Sequence, residues 1–202
     1  MANPDGVELV ANGLESVPKK YRKKLLKINE DSSDFKLWKA NANGVDINNN
    51  FDARFGTNTH KDLPSSSGFA GKFAESEKET KAIVKYLKNT NAFIVICYHT
   101  KGEEIYFNFF QKGKELKRDE VIAKRFAEST GYIIKNPESS SSGGLKDYVI
   151  EKMKIPSLTI ELGSDDLMHP IGLESLQDIF ERNKNVAKDL NFAYNVFVET
   201  KG

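Results

Sequence analysis

The sequence predicts an α/β fold with a mostly parallel sheet and helices on both faces. Two observations carry that prediction. AFIVICY (92–98) and PSLTIEL (156–162) are short, apolar, largely β-branched runs of the kind buried on both faces of a sheet. Helical patterns precede, separate and follow them, the alternation expected of parallel strands joined by crossovers. At 202 residues the chain is expected to form one domain, 1–202.

The elements follow in chain order. SVPKKYRKKLLKIN (16–29) predicts a helix with Ser16 as cap, Pro18 in the first turn, and Tyr21, Leu25 and Ile28 on one face. Its lysine run, Lys19 to Lys27, is followed at once by Glu30, Asp31 and Asp34, which marks a solvated face and not a nucleic-acid patch. Residues 41–68, rich in Asn, Gly, Ser and Thr, show neither period and predict a long irregular segment, a type often tied to function. ESEKETKAIVKYLKN (75–89) predicts a helix with an apolar face of Ala82, Ile83, Tyr86 and Leu87, acids first and lysines last. The first buried strand comes next, then EEIYFNF (103–109), whose alternation predicts a further strand. A helix is expected over 119–129 through Val121, Ile122 and Phe126, and ESSSSGG (138–144) predicts a loop. LKDYVIEKM (145–153), the second buried strand and an amphipathic helix over 173–190 complete the order.

Composition narrows the function. Thirty basic against 29 acidic residues give a formal charge of +1, which lacks the field of a dedicated nucleic-acid binder. One cysteine, Cys97, excludes an intrachain disulfide and a cysteine-rich zinc module. The longest apolar run is far short of the roughly 20 residues of a membrane helix. The first ten residues lack the basic and apolar regions of a signal peptide, so a soluble chain is expected, with no nucleic-acid or membrane partner. Localisation and oligomeric state are not read from the sequence.

Phosphate-loop, dinucleotide, H-E-x-x-H and G-x-S-x-G signatures are absent. Position points instead to His99, directly after the first buried strand, and Glu161, near the end of the second. Ligands and reacting groups gather beyond the carboxyl ends of parallel strands. A carboxylate within an apolar strand needs a cation, a donor or a chemical role. His60 and His169 have no metal-ligand spacing to each other or to His99. Cys97 shares a strand face with His99, yet a buried free thiol ordinarily behaves as a small hydrophobe.

The segments NPDGVEL (3–9), LWKANANGVDINNNFDARFG (37–56), SGFAGKFAESEKET (67–80), CYHTKGE (97–103), GGLKDY (143–148) and SLTIELG (157–163) together resemble, in order, the carboxypeptidase A-like zinc carboxypeptidases. The wording is most similar to the bacterial branch resembling γ-D-glutamyl-diaminopimelate peptidases, which trim cell-wall stem peptides. The resemblance spans roughly residues 3–190. It implies a carboxypeptidase-like (phosphorylase/hydrolase-like) fold, zinc-dependent peptide hydrolysis, His99 as a zinc ligand and Glu161 as the general base. It also implies substrate binding by Asn48 and stabilisation of the oxyanion by Lys39, where the family places an arginine.

Three departures from the family pattern accompany it. The H-x-x-E motif that supplies the other two zinc ligands would lie before NPDG, so the chain is expected to represent the C-terminal two-thirds of the domain, lacking its first strands and binding Zn2+ weakly or not at all alone. Asn49 stands at the position of the arginine that binds the substrate carboxylate. The position of the family's mobile tyrosine falls within Glu138 to Ser140, where this chain has no tyrosine, and Tyr132, the only near candidate, does not align with it. The resemblance therefore leaves two expectations: a hydrolase, or a non-catalytic peptide-binding remnant without metal.

Overall fold

The computed structural model describes residues 2–57, 61–135 and 143–201. The chain divides into two compact units, residues 1–90 with 142–144 and residues 91–141 with 145–202.

The first unit is built from helices and irregular chain. α1 (Pro4–Asn12) is capped by Asn3, whose side chain accepts from the Gly6 N–H. α2 (Lys19–Ile28) begins after Pro18, and Ser16 closes the preceding turn by donating to the Gly13 carbonyl at 2.8 Å, so the cap lies later than the sequence suggests. Leu25 is buried with Leu9, Phe35, Trp38 and Ala40, whereas Tyr21 is 48% exposed. The lysine run of α2 is a solvated face: Lys19, Lys20, Lys23, Lys24 and Lys27 are all exposed, and Arg22 pairs with Glu15 at 3.2 Å. α3 (Lys78–Lys88) buries Thr80, Val84 and Leu87 and leaves Tyr86 exposed, so its inward face is rotated from the expected one. Thr80 replaces an apolar residue there, which hid the true face from a reading of apolar period.

The second unit contains the sheet. Its strands are β1 (Val95–His99), β2 (Glu104–Tyr106), β3 (Ile133–Lys135) and β4 (Ser157–Glu161), in the order β1-β4-β2-β3. β1 and β4 run parallel, as do β2 and β3, while β2 is antiparallel to β4. The two apolar runs are therefore adjacent parallel strands. Of these two, β4 is interior in the described sheet and β1 is an edge strand, consistent with a half-exposed Tyr98.

One sheet face is covered by α4 (Gly113–Thr130) and α7 (Val186–Lys201). Ile105, Leu158 and Ile160 pack there on Ile122, Ala123, Phe126 and Ala193. α4 starts six residues earlier than its apolar pattern shows, because its first turns bury polar residues. Arg118 is paired with Asp119 at 2.7 Å, and Gln111 donates to Asp119 at 3.1 Å. Arg125 ties α4 to Asp189 of α7 at 2.8 Å. The opposite face receives α5 (Leu145–Tyr148), which continues through a wider turn to Met153.

The expected closing helix is two helices, α6 (Leu176–Asn183) and α7, separated at Lys184–Asn185. Leu176 and Phe180 of α6 are 58% and 59% exposed, so the apolar residues there do not all face the core. None of the helices is long and apolar enough to cross a membrane, among the described residues.

Candidate functional site

In the second unit, sheet register creates the candidate site. His99 and Glu161 are direct partners at the carboxyl ends of β1 and β4. Registered partners on adjacent strands project to one side, roughly 4.8 Å apart between strands. The His99 carbonyl accepts from the Leu162 N–H at 2.8 Å, and the Gly102 N–H donates to the Gly163 carbonyl at 2.8 Å. Those bonds tie the loops leaving both strands, and Lys101 adds an ion pair to Asp165 at 3.1 Å. His99 and Glu161 are half-buried, at the mouth of the sheet and not in its core.

A third polar residue joins the row. Glu104 of β2 is the antiparallel partner of Glu161, so His99, Glu161 and Glu104 lie side by side across three strands on one face. Two carboxylates opposite one another repel, and Glu104 is compensated. The Tyr106 hydroxyl donates to it, and Lys135 pairs with it at 3.1 Å. The Tyr106 hydrogen bond is the main cause holding the Glu104 carboxyl below its ordinary range, against a smaller opposing effect of burial. Burial, then Glu104 and Glu161, push the Tyr106 hydroxyl up to about 12, so it remains a donor at neutral pH. The alternation in EEIYFNF already placed Glu104 and Tyr106 on one strand face. Pairing with β4, which joins them to Glu161, had no local signal.

Beneath this row lies Cys97, 7% exposed, whose thiol burial pushes up to about 11. It is a protonated core residue at neutral pH, and nucleophilic chemistry needs the thiolate. Against the same face of the sheet α5 buries an ion pair, with Lys146 Nζ at 2.6 Å from Asp147 and donating to the Asn108 carbonyl at 3.0 Å.

In the first unit, the other candidates are held by side-chain hydrogen bonds. Asn48 and Asn49 end a short turn, Ile47–Asn49, capped by Asp46, which accepts from the N–H groups of Asn48 at 3.3 Å and Gly68 at 3.0 Å. Asn50 is fully buried. Its amide donates to the Ala70 carbonyl at 2.7 Å and Ser76 at 2.9 Å and accepts from the Glu77 N–H at 3.2 Å. Asn41 and Asn43 in turn donate to Glu77 at 2.8 and 2.9 Å. Burial works to raise the Glu77 carboxyl, but bonds from Asn43, Asn41 and Ser76, with Lys81 nearby, hold it below its usual value.

This network presents Asn48 exposed and Asn49 half-buried. Gly143, at φ 75°, passes so close that an added Cβ would stand 2.4 Å from the Asn49 carbonyl oxygen, so only glycine fits there. Lys39 is exposed beyond the buried Trp38, and its backbone is fixed by Ser66 and Asn3.

Among the described residues, no group of three or more His, Cys, Asp or Glu side chains is disposed to hold a metal. A catalytic zinc ordinarily takes three protein ligands and one open position. The described residues therefore do not fit a complete zinc site, and His169 does not complete one. His60 and the segment Glu138 to Ser140 lie outside the described residues.

Comparison with known proteins gives the family. The zinc carboxypeptidase family model matches residues 1–185, and the chain belongs to that family. It is 30% identical over 185 residues to gamma-D-glutamyl-L-diamino acid endopeptidase 1 of Lysinibacillus sphaericus, covering 90% of this chain and 45% of that protein. It is 31% identical over 189 residues to the uncharacterized protein YqgT of Bacillus subtilis, covering 92% and 49%. The chain thus spans about half the length of these relatives. The fold is similar to carboxypeptidase A from Helicoverpa armigera, with a TM-score of 0.64 at 17% identity over 99% of this chain and 49% of that one.

Proposed function

We propose that this chain carries the general base and one imidazole ligand of a peptide hydrolase of the zinc carboxypeptidase type. The substrate class is short peptides with a γ-D-glutamyl-diamino acid bond, the linkage in the name of the Lysinibacillus relative and one found in cell-wall stem peptides. The observation that carries this reading is the register of His99 with Glu161 at the ends of two parallel strands.

Glu161 takes a proton from the attacking water and later gives it to the leaving nitrogen, the double use of one carboxylate in general acid–base catalysis. The His99 imidazole would be one protein ligand to a zinc ion, which would supply polarisation of the carbonyl. Glu104 is held by Lys135 and Tyr106. Lys39 supplies positive charge for the oxyanion without the two-pronged geometry of arginine. Asn48 binds the peptide, and Asn49, a neutral amide, holds a terminal carboxylate more weakly than a guanidinium does.

Because the described residues do not complete a metal site, the 202-residue chain alone is expected to hold zinc weakly and below one equivalent. Elemental analysis of the purified chain, paired with a hydrolysis assay of the natural protein, tests the reading. One firmly held zinc per isolated chain contradicts the assignment of His99 as a lone ligand. An intact polypeptide that binds the peptide without cleaving it favours the metal-free peptide-binding remnant.

A further inference from the structure

In the second unit, α6 and the tight turn that leads into it, Leu173–Ser175, carry an apolar stripe on their solvent side. Leu173, Leu176 and Phe180 are 85%, 58% and 59% exposed, and their sequence spacing sets them on one helix face. We propose that this stripe is an interface between two copies of the chain, their α6 helices paired antiparallel about a two-fold axis.

The stripe is not a core face left loose, because other side chains seat the helix. Ile179 lies against Gly163, where an added Cβ would stand 3.5 Å from the Ile179 Cδ1. Asn183 donates to the Tyr132 hydroxyl at 3.2 Å, and Arg182 pairs with Glu103 at 3.5 Å. These ties fix which way α6 faces, so three large apolar side chains are held toward water. Single apolar residues scattered on a surface are ordinary, whereas a contiguous group of them marks an interaction site.

Charge indicates what covers it. Glu174 stands at the start of the stripe and Lys184 just past its end, both exposed. A strongly basic or strongly acidic partner would meet a like charge at one end or the other. A second copy running the opposite way brings Glu174 of each copy against Lys184 of the other, sets stripe on stripe and opposes the two helix dipoles. One patch then serves both protomers, as a two-fold interface requires.

The contact is small. A segment of this length spans roughly 17 Å at about 1.5 Å per residue, so it buries less than the roughly 800 Å2 per partner of a standard interface. Association is therefore weak and concentration-dependent. The pairing is independent of the hydrolase reading, because it requires neither metal nor catalysis.

The test is sedimentation velocity of the 202-residue chain from about 10 μM to about 1 mM, a range that brackets the weak end of specific recognition. The native chain should pass from monomer toward dimer across it. Leu176→Ser and Phe180→Ser should each weaken the dimer about tenfold or more, the scale of a central interface residue. Both positions are more than half exposed, and an unchanged melting temperature confirms that the fold is intact. Glu174→Lys and Lys184→Glu should each weaken it about three- to tenfold at low salt, the scale of exposed ion pairs made twice by symmetry, and the double exchange should restore it. A chain that stays monomeric to 1 mM would overturn the proposal and leave the stripe to a different partner. Association that survives Phe180→Ser would overturn it by placing the contact elsewhere, such as the open edge of β1. Failure of the double exchange to restore the dimer would overturn the antiparallel pairing.

Discussion

The two units place their polar residues by different means. In the second, His99, Glu161 and Glu104 are set in a row by backbone register across three strands, and the side chains inherit their places from the ladder. In the first, Asn48 and Asn49 sit on a turn whose shape comes from side-chain amides: Asn41, Asn43 and Asn50 around Glu77. A ladder tolerates substitution of the side chains it displays, because the backbone bonds remain. An amide network does not, because each member is both structure and scaffold. Polar substitutions should therefore separate function from stability in the second unit and entangle them in the first.

The largest expected effect is on activity. Glu161→Gln in the intact polypeptide should lower kcat/KM by about a hundred- to ten-thousandfold, the usual worth of a general acid–base group. Thermal unfolding should scarcely change. A melting midpoint that falls in step with activity would mean that Glu161 is structural.

The comparison sharpens on stability. Leu158→Ala removes a fully buried side chain from the second unit and should cost about 2–5 kcal/mol in denaturant unfolding. Asn50→Ala removes no comparable apolar area, yet it leaves the Ala70 carbonyl and the Glu77 N–H unpaired in the interior. A cost of about 2–4 kcal/mol is expected, since each stranded buried group costs on the order of 1–3 kcal/mol. A cost below about 0.5 kcal/mol, the scale of an ordinary surface change, would show that the network does not hold the turn.

Next in size is specificity. Asn49→Arg should shift preference toward free-acid peptides over their amides by about 1.5–3 kcal/mol if both hydrogen bonds to the carboxylate form. The measurement is kcat/KM for an acid and amide pair in both proteins. A native preference for the acid of more than about a hundredfold, near 2.7 kcal/mol at 1.36 kcal/mol per decade, would show that another residue already binds the carboxylate.

The smallest effect is on pH dependence. Glu77 is held below its ordinary value of 4.5, so the stability it contributes is present above that pH and is lost as pH falls through its lower folded value. Glu77→Gln should lower stability at neutral pH and flatten that acid limb, because the contribution of the ionised carboxylate is gone at every pH. An unchanged acid limb would remove Glu77 as its source.

These outcomes bear on what the sequence made legible. The strand runs around Cys97 and Leu158 were visible because an apolar, β-branched run has few other fates, and their parallel pairing followed from the helices between them. His99 and Glu161 were found by position at the strand ends. The helix starting at Gly113 was missed in its first turns because Arg118 and Asp119 neutralise one another in the interior, and burial of a pair leaves no apolar signature. The face of α3 was misjudged for a related reason, a buried threonine. α1 and β3 are short and lack a strong period. Glu104 and Tyr106 escaped because their significance depends on which strand lies alongside. The motif resemblance named Asn48 and Asn49, but no periodicity reveals that Asn50, their neighbour, is the buried pin.

The central claim is that His99 and Glu161 form one reacting centre, and a double-mutant cycle tests it most directly. kcat/KM for a γ-D-glutamyl-diamino acid peptide is measured for the intact polypeptide, His99→Ala, Glu161→Gln and the pair together. Groups acting as a unit are strongly non-additive, so the double variant should be about as impaired as the worse single one. Losses that simply multiply would show that the two residues act independently and would contradict the account.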